Sequence, residues 1–326
     1  MTDPIAAAGR ARRRLFRGGA LVALLALAPA PASAAQRSPA LLLDPAMAAL
    51  VGSTTLPGMA DRPWIVVPGA EIPEAACRDG AAAGAWIGLT ATAGWRVRRA
   101  SCLNSPRVEH ARLAVGREAA ILVTRRGGAT PALDRRQVFR AVAAGTTRAN
   151  PARRWRDLAR DLPDADIRLL LPAAGTPLWR VFSETVLEPG CLAGPARRRT
   201  FDPAERMERC TVLRGDGRAI RRSDDVDPVA WLAAAGDGAV AVLSYGELLQ
   251  AGEAVAVVPI EGERPTFAAL SSGAYPASRT VYLTFGLLWS GNGGRTPRPA
   301  AVAAAMAVVA EDSIGPAGAL TARGLV

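Results

Sequence analysis

Lysine is absent from this chain of 326 residues; all 40 of its basic side chains are arginine. Histidine occurs once, at His110, cysteine four times, and aromatic residues make up only 5% of the total. Each shortage removes a class of function. An arginine-only, alanine-rich composition marks a GC-rich coding sequence. The clusters Arg96/Arg98/Arg99, Arg197-Arg198-Arg199 and Arg221-Arg222 lack the interleaved aromatics on which bases stack, so they read as solvated surface and no nucleic-acid partner is expected. A lone histidine, with no Cys-x-x-Cys and no His cluster, removes the usual metal sites, and His110 reads as a surface or structural residue. There is neither a Gly-x-Ser-x-Gly elbow nor a Ser/His/Asp set around His110, so no catalytic residue, no enzyme activity and no cofactor are expected. No internal repeat and no long low-complexity linker is present.

What is there begins with a targeting pattern. Residues 1–34 carry a positive region (Arg10, Arg12, Arg13, Arg14, Arg17), a short apolar core over 20–30 and a small-residue cleavage site at Ala32-Ser33-Ala34, the signature of a signal peptide. The apolar core falls short of the about 20 residues that span a bilayer. Arg13-Arg14-Leu15-Phe16-Arg17 partly resembles a twin-arginine signal, but a simple Sec signal fits better. No cysteine lies at the cleavage site, so a lipid anchor is not expected. Cleavage would remove five arginines and one acid, and the net charge would fall from +11 to +7. The roughly 290 residues that follow exceed what one core usually holds, and two lobes are expected. Half of the residues are hydrophobic and 21% are charged, which excludes general disorder.

The most informative stretch is Asp166 to Cys191. Ile167 to Leu171 is a short apolar run suited to a strand buried on both faces, and Pro172 stops it. Thr176 followed by Pro177 is a strong helix start, a hydroxyl N-cap before a fixed φ. Leu178, Val181, Phe182 and Val186 recur at helical spacing. Strand, small-residue loop and helix start together suit an anion, because unpaired N–H groups and the positive end of the helix dipole face outward. Further strands are expected at Trp64 to Val67, Ala85 to Leu89, Cys210 to Leu213 and Ala239 to Leu243. Helices are expected after Asp134 (Val138, Phe139 and Val142 on one face, Gly145 ending it), after Asp227-Pro228, over Gly246 to Gln250 and over 300–310, with a helical turn at Trp155 to Leu158. This alternation argues an α/β fold with largely parallel strands.

Three segments carry a family resemblance. Glu188-Pro189-Gly190-Cys191, Pro259-Ile260-Glu261-Gly262-Glu263-Arg264-Pro265-Thr266-Phe267 and Ser272-Gly273-Ala274-Tyr275-Pro276-Ala277-Ser278-Arg279 resemble segments of the phosphate-binding proteins of bacterial ABC transporters. The likeness covers roughly residues 107–285. It implies a two-lobed periplasmic-binding-protein fold of type II, with residues 36–122 plus 255–326 as lobe 1, here reduced, and residues 123–254 as lobe 2. It also implies a periplasmic location, closure about a hinge on a small anion such as phosphate, and an ABC permease as partner of a monomer. Of the three pairings open to four cysteines, the resemblance implies Cys191 with Cys210, which leaves Cys77 with Cys102.

The implied ligand residues are Ser53, Thr54 and Thr55, in a Val-Gly-Ser-Thr-Thr loop similar to the family's first ligand loop, then Thr92, Gly175, Thr176 and Arg180. Several departures weaken that set. The family's Ser-Gly-Thr-Arg signature falls, without gaps, on Thr176, Pro177, Leu178 and Trp179, so one N–H, one hydroxyl and a phosphate-gripping guanidinium are gone. Arg180 is rotated by about 100° from the arginine position. The stretch Trp86 to Thr92 lacks the carboxylate and arginine that the family carries there, and Arg117-Glu118 stands where Tyr-Asp is usual. The expectation is a solute-binding protein with an altered ligand site. The alternative is a relative that no longer binds and serves as a periplasmic interaction or scaffold protein.

Overall fold

A computed structural model describes residues 41–43, 64–66, 85–90, 108–144, 150–193, 202–223, 225–288, 306, 309–315 and 317–326, some of them by backbone alone. Two five-stranded sheets organise the described residues. The first contains β1 (Leu41–Leu43), β2 (Trp64–Val66), β3 (Ala85–Thr90), β4 (Val108–Ala119) and β10 (Ser278–Leu288), in the order β2-β1-β3-β10-β4. The second contains β5 (Ile121–Arg125), β6 (Arg168–Leu171), β7 (Ala219–Arg221), β8 (Ala239–Leu243) and β9 (Val255–Val257), in the order β7-β6-β8-β5-β9. The α/β class expected from the alternating pattern is what the chain adopts.

The strands are not largely parallel, however. β1 runs parallel to β2 and β3, and β6 parallel to β7 and β8. β10 runs antiparallel to β3 and β4, and β5 antiparallel to β8 and β9. The antiparallel pairs arise where the chain passes between sheets, a long-range feature that β–α alternation cannot reveal. One passage is at Ala120, wholly buried between β4 and β5. Its N–H donates to the Ala277 carbonyl at 2.9 Å, and its carbonyl accepts the Tyr275 hydroxyl at 3.3 Å. Burial raises the Tyr275 phenol well above its ordinary pKa, which keeps it a neutral donor.

The central stretch folds as its pattern indicates. β6 lies between β7 and β8, with Leu169, Leu170 and Leu171 buried. Thr176 caps helix α2 (Pro177–Phe182), its Oγ accepting from the Trp179 N–H at 3.2 Å. A π-helical turn, Ser183–Leu187, carries the axis into α3 (Glu188–Leu192). Val181, Phe182 and Val186 are essentially inaccessible and Leu178 nearly so. Each such side chain stabilises the fold by about 1.5–3 kcal/mol.

Other elements begin on sequence-readable caps. Helix α1 (Arg135–Val142) has a reciprocal capping box between Asp134 and Gln137. It ends at Val142, where Ala143 turns extended and bridges Leu213; Gly145 lies outside the described residues. The strand expected from Cys210 to Leu213 does not form. Cys210 is the last residue of α4 (Pro203–Cys210), whose Glu, Arg and Met favour helix, and Leu213 makes only the isolated bridge. Asp227 caps α5 (Pro228–Ala235), and Ser244 caps α6 (Tyr245–Ala251). Thr266 caps α7 (Phe267–Ser272), and Glu311–Ile314 forms α8. The helix expected over 300–310 falls almost wholly outside the described residues.

Cys191 and Cys210 form a disulfide across 19 positions, as the resemblance implies. A loop of this length contributes about 3 kcal/mol, chiefly by restricting the unfolded chain. The Cys191→Ala/Cys210→Ala double variant should therefore lose about 3 kcal/mol of unfolding free energy in urea titration. Cys77 and Cys102 lie outside the described residues.

Candidate functional site

A cavity of about 610 Å³ opens where the two sheets meet helix starts. Glu118 and Ala119 reach it from the end of β4. Thr176, Pro177, Leu178 and Val181 bring the first turns of α2, and Ser244, Gly246, Glu247 and Gln250 bring α6 with its N-cap. Arg222, just after β7, and residues 322–324 complete the lining among the described residues. Two helix N-termini thus border one space. The first N–H groups of a helix have no intrahelical acceptor, and the dipole adds positive potential there.

The caps use some of that donor capacity. Thr176 Oγ1 donates to the Ala173 carbonyl at 2.7 Å while it accepts from Trp179, so its hydroxyl is already engaged on both sides. Ser244 and Glu247 form a reciprocal box: the Glu247 N–H donates to Ser244 Oγ at 3.2 Å and the Ser244 N–H to Glu247 Oε2 at 2.7 Å. Glu247 uses its other oxygen to accept from Arg222 Nη2 at 2.6 Å. That pair neutralises one acid and one base within the cavity.

A second cluster adjoins the cavity at Glu118. The β10–β4 register sets Arg279 directly across from Glu118, and the guanidinium donates to Glu118 and to Glu184 in the π-helical turn, each at 2.5 Å. The Arg279 and Glu118 side chains are 9% and 10% exposed, so this is a buried pair rather than a surface one. Burial works against the Arg279 charge, but Glu118 and Glu184 outweigh it and its pKa is raised. Arg279 thereby ties the first sheet to the helix that follows β6.

Residues 320–326 dock against both sides. Leu320 and Leu325 are buried, and Val326 exchanges two backbone hydrogen bonds with Arg117 of β4, at 2.8 and 2.7 Å. Gly324, at φ +101°, lies against α6. A Cβ on it would meet the Gly246 nitrogen at 2.8 Å, and a Cβ on Gly246 would meet the Arg323 carbonyl carbon at 3.1 Å. Only glycine permits both that backbone conformation and that approach.

Of the expected ligand residues, the structure places Thr176 at the cavity. Gly175 is exposed with φ +78°, and Arg180 is half-buried; neither lines it. The start of α2 is unshifted, which keeps Arg180 off that face. Ser53, Thr54, Thr55 and Thr92 lie outside the described residues. Of the charged groups that line the cavity, sequence reasoning noted Glu118 and missed Arg222, Glu247 and Arg323. Arg222 reads as half of a solvated cluster, yet it is paired within the cavity, and its neighbour Arg221 sits 3.8 Å from the Trp179 ring centroid in a cation–π contact. Glu247 carried a readable signal, the Ser-x-x-Glu spacing of a capping box. Among the described residues there is no group of three His, Cys, Asp or Glu side chains that could hold a metal ion. No described helix is long and apolar enough to cross a membrane.

No protein-family model matches the chain, and no curated protein matches it in sequence. Many solved structures resemble the chain. A possible phosphate binding protein from Planctomyces limnophilus superposes with a TM-score of 0.51 at 12% identity, over 75% of this chain and 80% of that one. An ABC-type phosphate transport receptor from Vibrio cholerae also gives 0.51, at 11% identity, over 88% and 99%. The chain therefore has the α/β fold of these binding proteins.

Proposed function

We propose that the protein is a solute-binding protein that takes a small anion, with phosphate as the type ligand, in the cavity between α2, α6 and β4. The observation that carries this reading is the convergence of two helix N-termini on one cavity, a geometry suited to oxyanions. The shared fold with phosphate-binding structures supports it. In this reading residues 36–122 plus 255–326 and residues 123–254 are two lobes that close about a hinge. Residues 1–34 direct export to the periplasm, and a monomer delivers its ligand to an ABC permease. The ligand set is altered, since α2 offers no guanidinium at its start and Pro177 no N–H. Each lost charge-assisted hydrogen bond costs about 1.5–3 kcal/mol, roughly tenfold or more in affinity.

Thermal melting in the presence of phosphate, sulfate and other oxyanions tests the reading. A ligand present at 100 times its Kd adds about 2.7 kcal/mol to stability, and phosphate should raise the Tm accordingly. A second reading, a non-binding relative with a scaffold role, is favoured by the internal pairing of Arg222 with Glu247 and of Arg279 with Glu118. An unchanged Tm with every oxyanion would select it.

A further inference from the structure

The cavity contains one cation for which no ion pair forms among the described residues. Arg222 is held by Glu247, while Arg279, behind the wall, is held by Glu118 and Glu184. The first pair is neutral, and the second cluster sets one guanidinium against two carboxylates. Arg323 is different. It lines the same cavity, it is exposed, and its side chain has no carboxylate partner in the described structure. Among the described residues, Arg323 is thus the lining arginine without a carboxylate partner, and it comes from residues 320–326 rather than from a helix start.

The placement of Arg323 is fixed from both sides. It ends the 3₁₀ turn Thr321–Arg323. Leu320 before it and Leu325 after it are buried, Gly324 is wedged against Gly246, and Val326 is paired to Arg117. The backbone at Arg323 therefore gives up little chain entropy when a ligand arrives, and the exposed side chain orders on binding. Arginine also has the planar fork that meets two oxyanion oxygens at once.

We propose that Arg323 is the anion-gripping residue of the cavity. The inference rests on the solute-binding reading above. It names the ligand as a small oxyanion and assigns specificity to a segment that the expected ligand residues do not include.

Isothermal titration with inorganic phosphate tests it on the purified protein and on three variants: Arg323→Gln, Arg323→Lys and Arg264→Gln. Arg264 is exposed and does not line the cavity, so its variant matches the charge change of Arg323→Gln at a distant position. Arg323→Gln should weaken phosphate binding by roughly 10- to 150-fold, the range for one charge-assisted hydrogen bond. Arg323→Lys should recover part of the loss, and Arg264→Gln should bind as the parent does. Circular dichroism melts confirm that each variant is folded. A folded Arg323→Gln variant that binds phosphate as tightly as the parent, or no more weakly than Arg264→Gln, overturns the assignment while leaving the solute-binding reading standing. A folded parent that binds no phosphate overturns both.

Discussion

Replacing Arg279 with methionine should lower the unfolding free energy by about 3–5 kcal/mol, the usual cost of breaking a buried ion pair by removing one partner. The size follows from geometry. Both carboxylates lie 2.5 Å from the guanidinium; Glu184 is 34% exposed and water can replace its partner, but the Arg279 and Glu118 side chains are 9% and 10% exposed, and Glu118 would be left buried and unpaired. An exposed pair such as Arg126 with Glu253 would cost less than about 1 kcal/mol. The substitution should also harm ligand binding, because Glu118 lines the cavity and would present an unneutralised carboxylate to an incoming anion. Adding Glu118→Gln to Arg279→Met should restore part of the stability, since the buried charge is then gone. Urea titration of the single and double variants measures both effects. A single-variant loss below 1 kcal/mol would mean that the pair is solvated.

The second large effect concerns Gly190, in the Glu-Pro-Gly-Cys segment. Here α3 crosses α1 so closely that a Cβ would lie 2.2 Å from the Arg135 carbonyl oxygen and 2.8 Å from Phe139 Cβ. A backbone carbonyl cannot rotate away as a flexible side chain can. Gly190→Ala should therefore cost about 3 kcal/mol, at the upper end for overpacking, despite the better helix propensity of alanine. Gly215→Ala supplies the contrast, since nothing lies within 4 Å of a Cβ there; it should change stability by less than about 0.5 kcal/mol. If the two variants melted alike, the helix crossing would have to be wider than described.

These effects also show where the sequence is legible. Thr176-Pro177 announces a helix start by chemistry confined to two neighbouring residues, and the structure caps α2 on Thr176. The Asp134 and Asp227 helix starts are readable for the same reason. The Glu-Pro-Gly-Cys segment was visible as a motif, but why it needs glycine was not, because Arg135 and Phe139 are distant in sequence. Thr211-Val212-Leu213 misled in the opposite sense. Its β-branched residues suggest a strand, but the chain has just left a helix tethered through Cys210, and only Leu213 finds a bridging partner.

The cavity was the least legible part, for one physical reason: its charges are assembled by long-range register. Glu118 meets Arg279 across 161 positions, and Arg222 meets Glu247 across 25. No local pattern distinguishes Arg222 from an arginine on open surface. Arg323 is harder still, since its position depends on Leu325 and Val326 docking against β4. The two helix starts that frame the space were both readable as helices. Their convergence on one cavity was not.

The central claim is that this cavity holds a small oxyanion. Equilibrium dialysis of the purified, folded protein against radiolabelled inorganic phosphate tests it most directly. The account predicts saturable retention at a stoichiometry of one phosphate per chain, displaced by excess unlabelled phosphate. Folded protein that retains no label above the buffer compartment, even at millimolar phosphate, would contradict it.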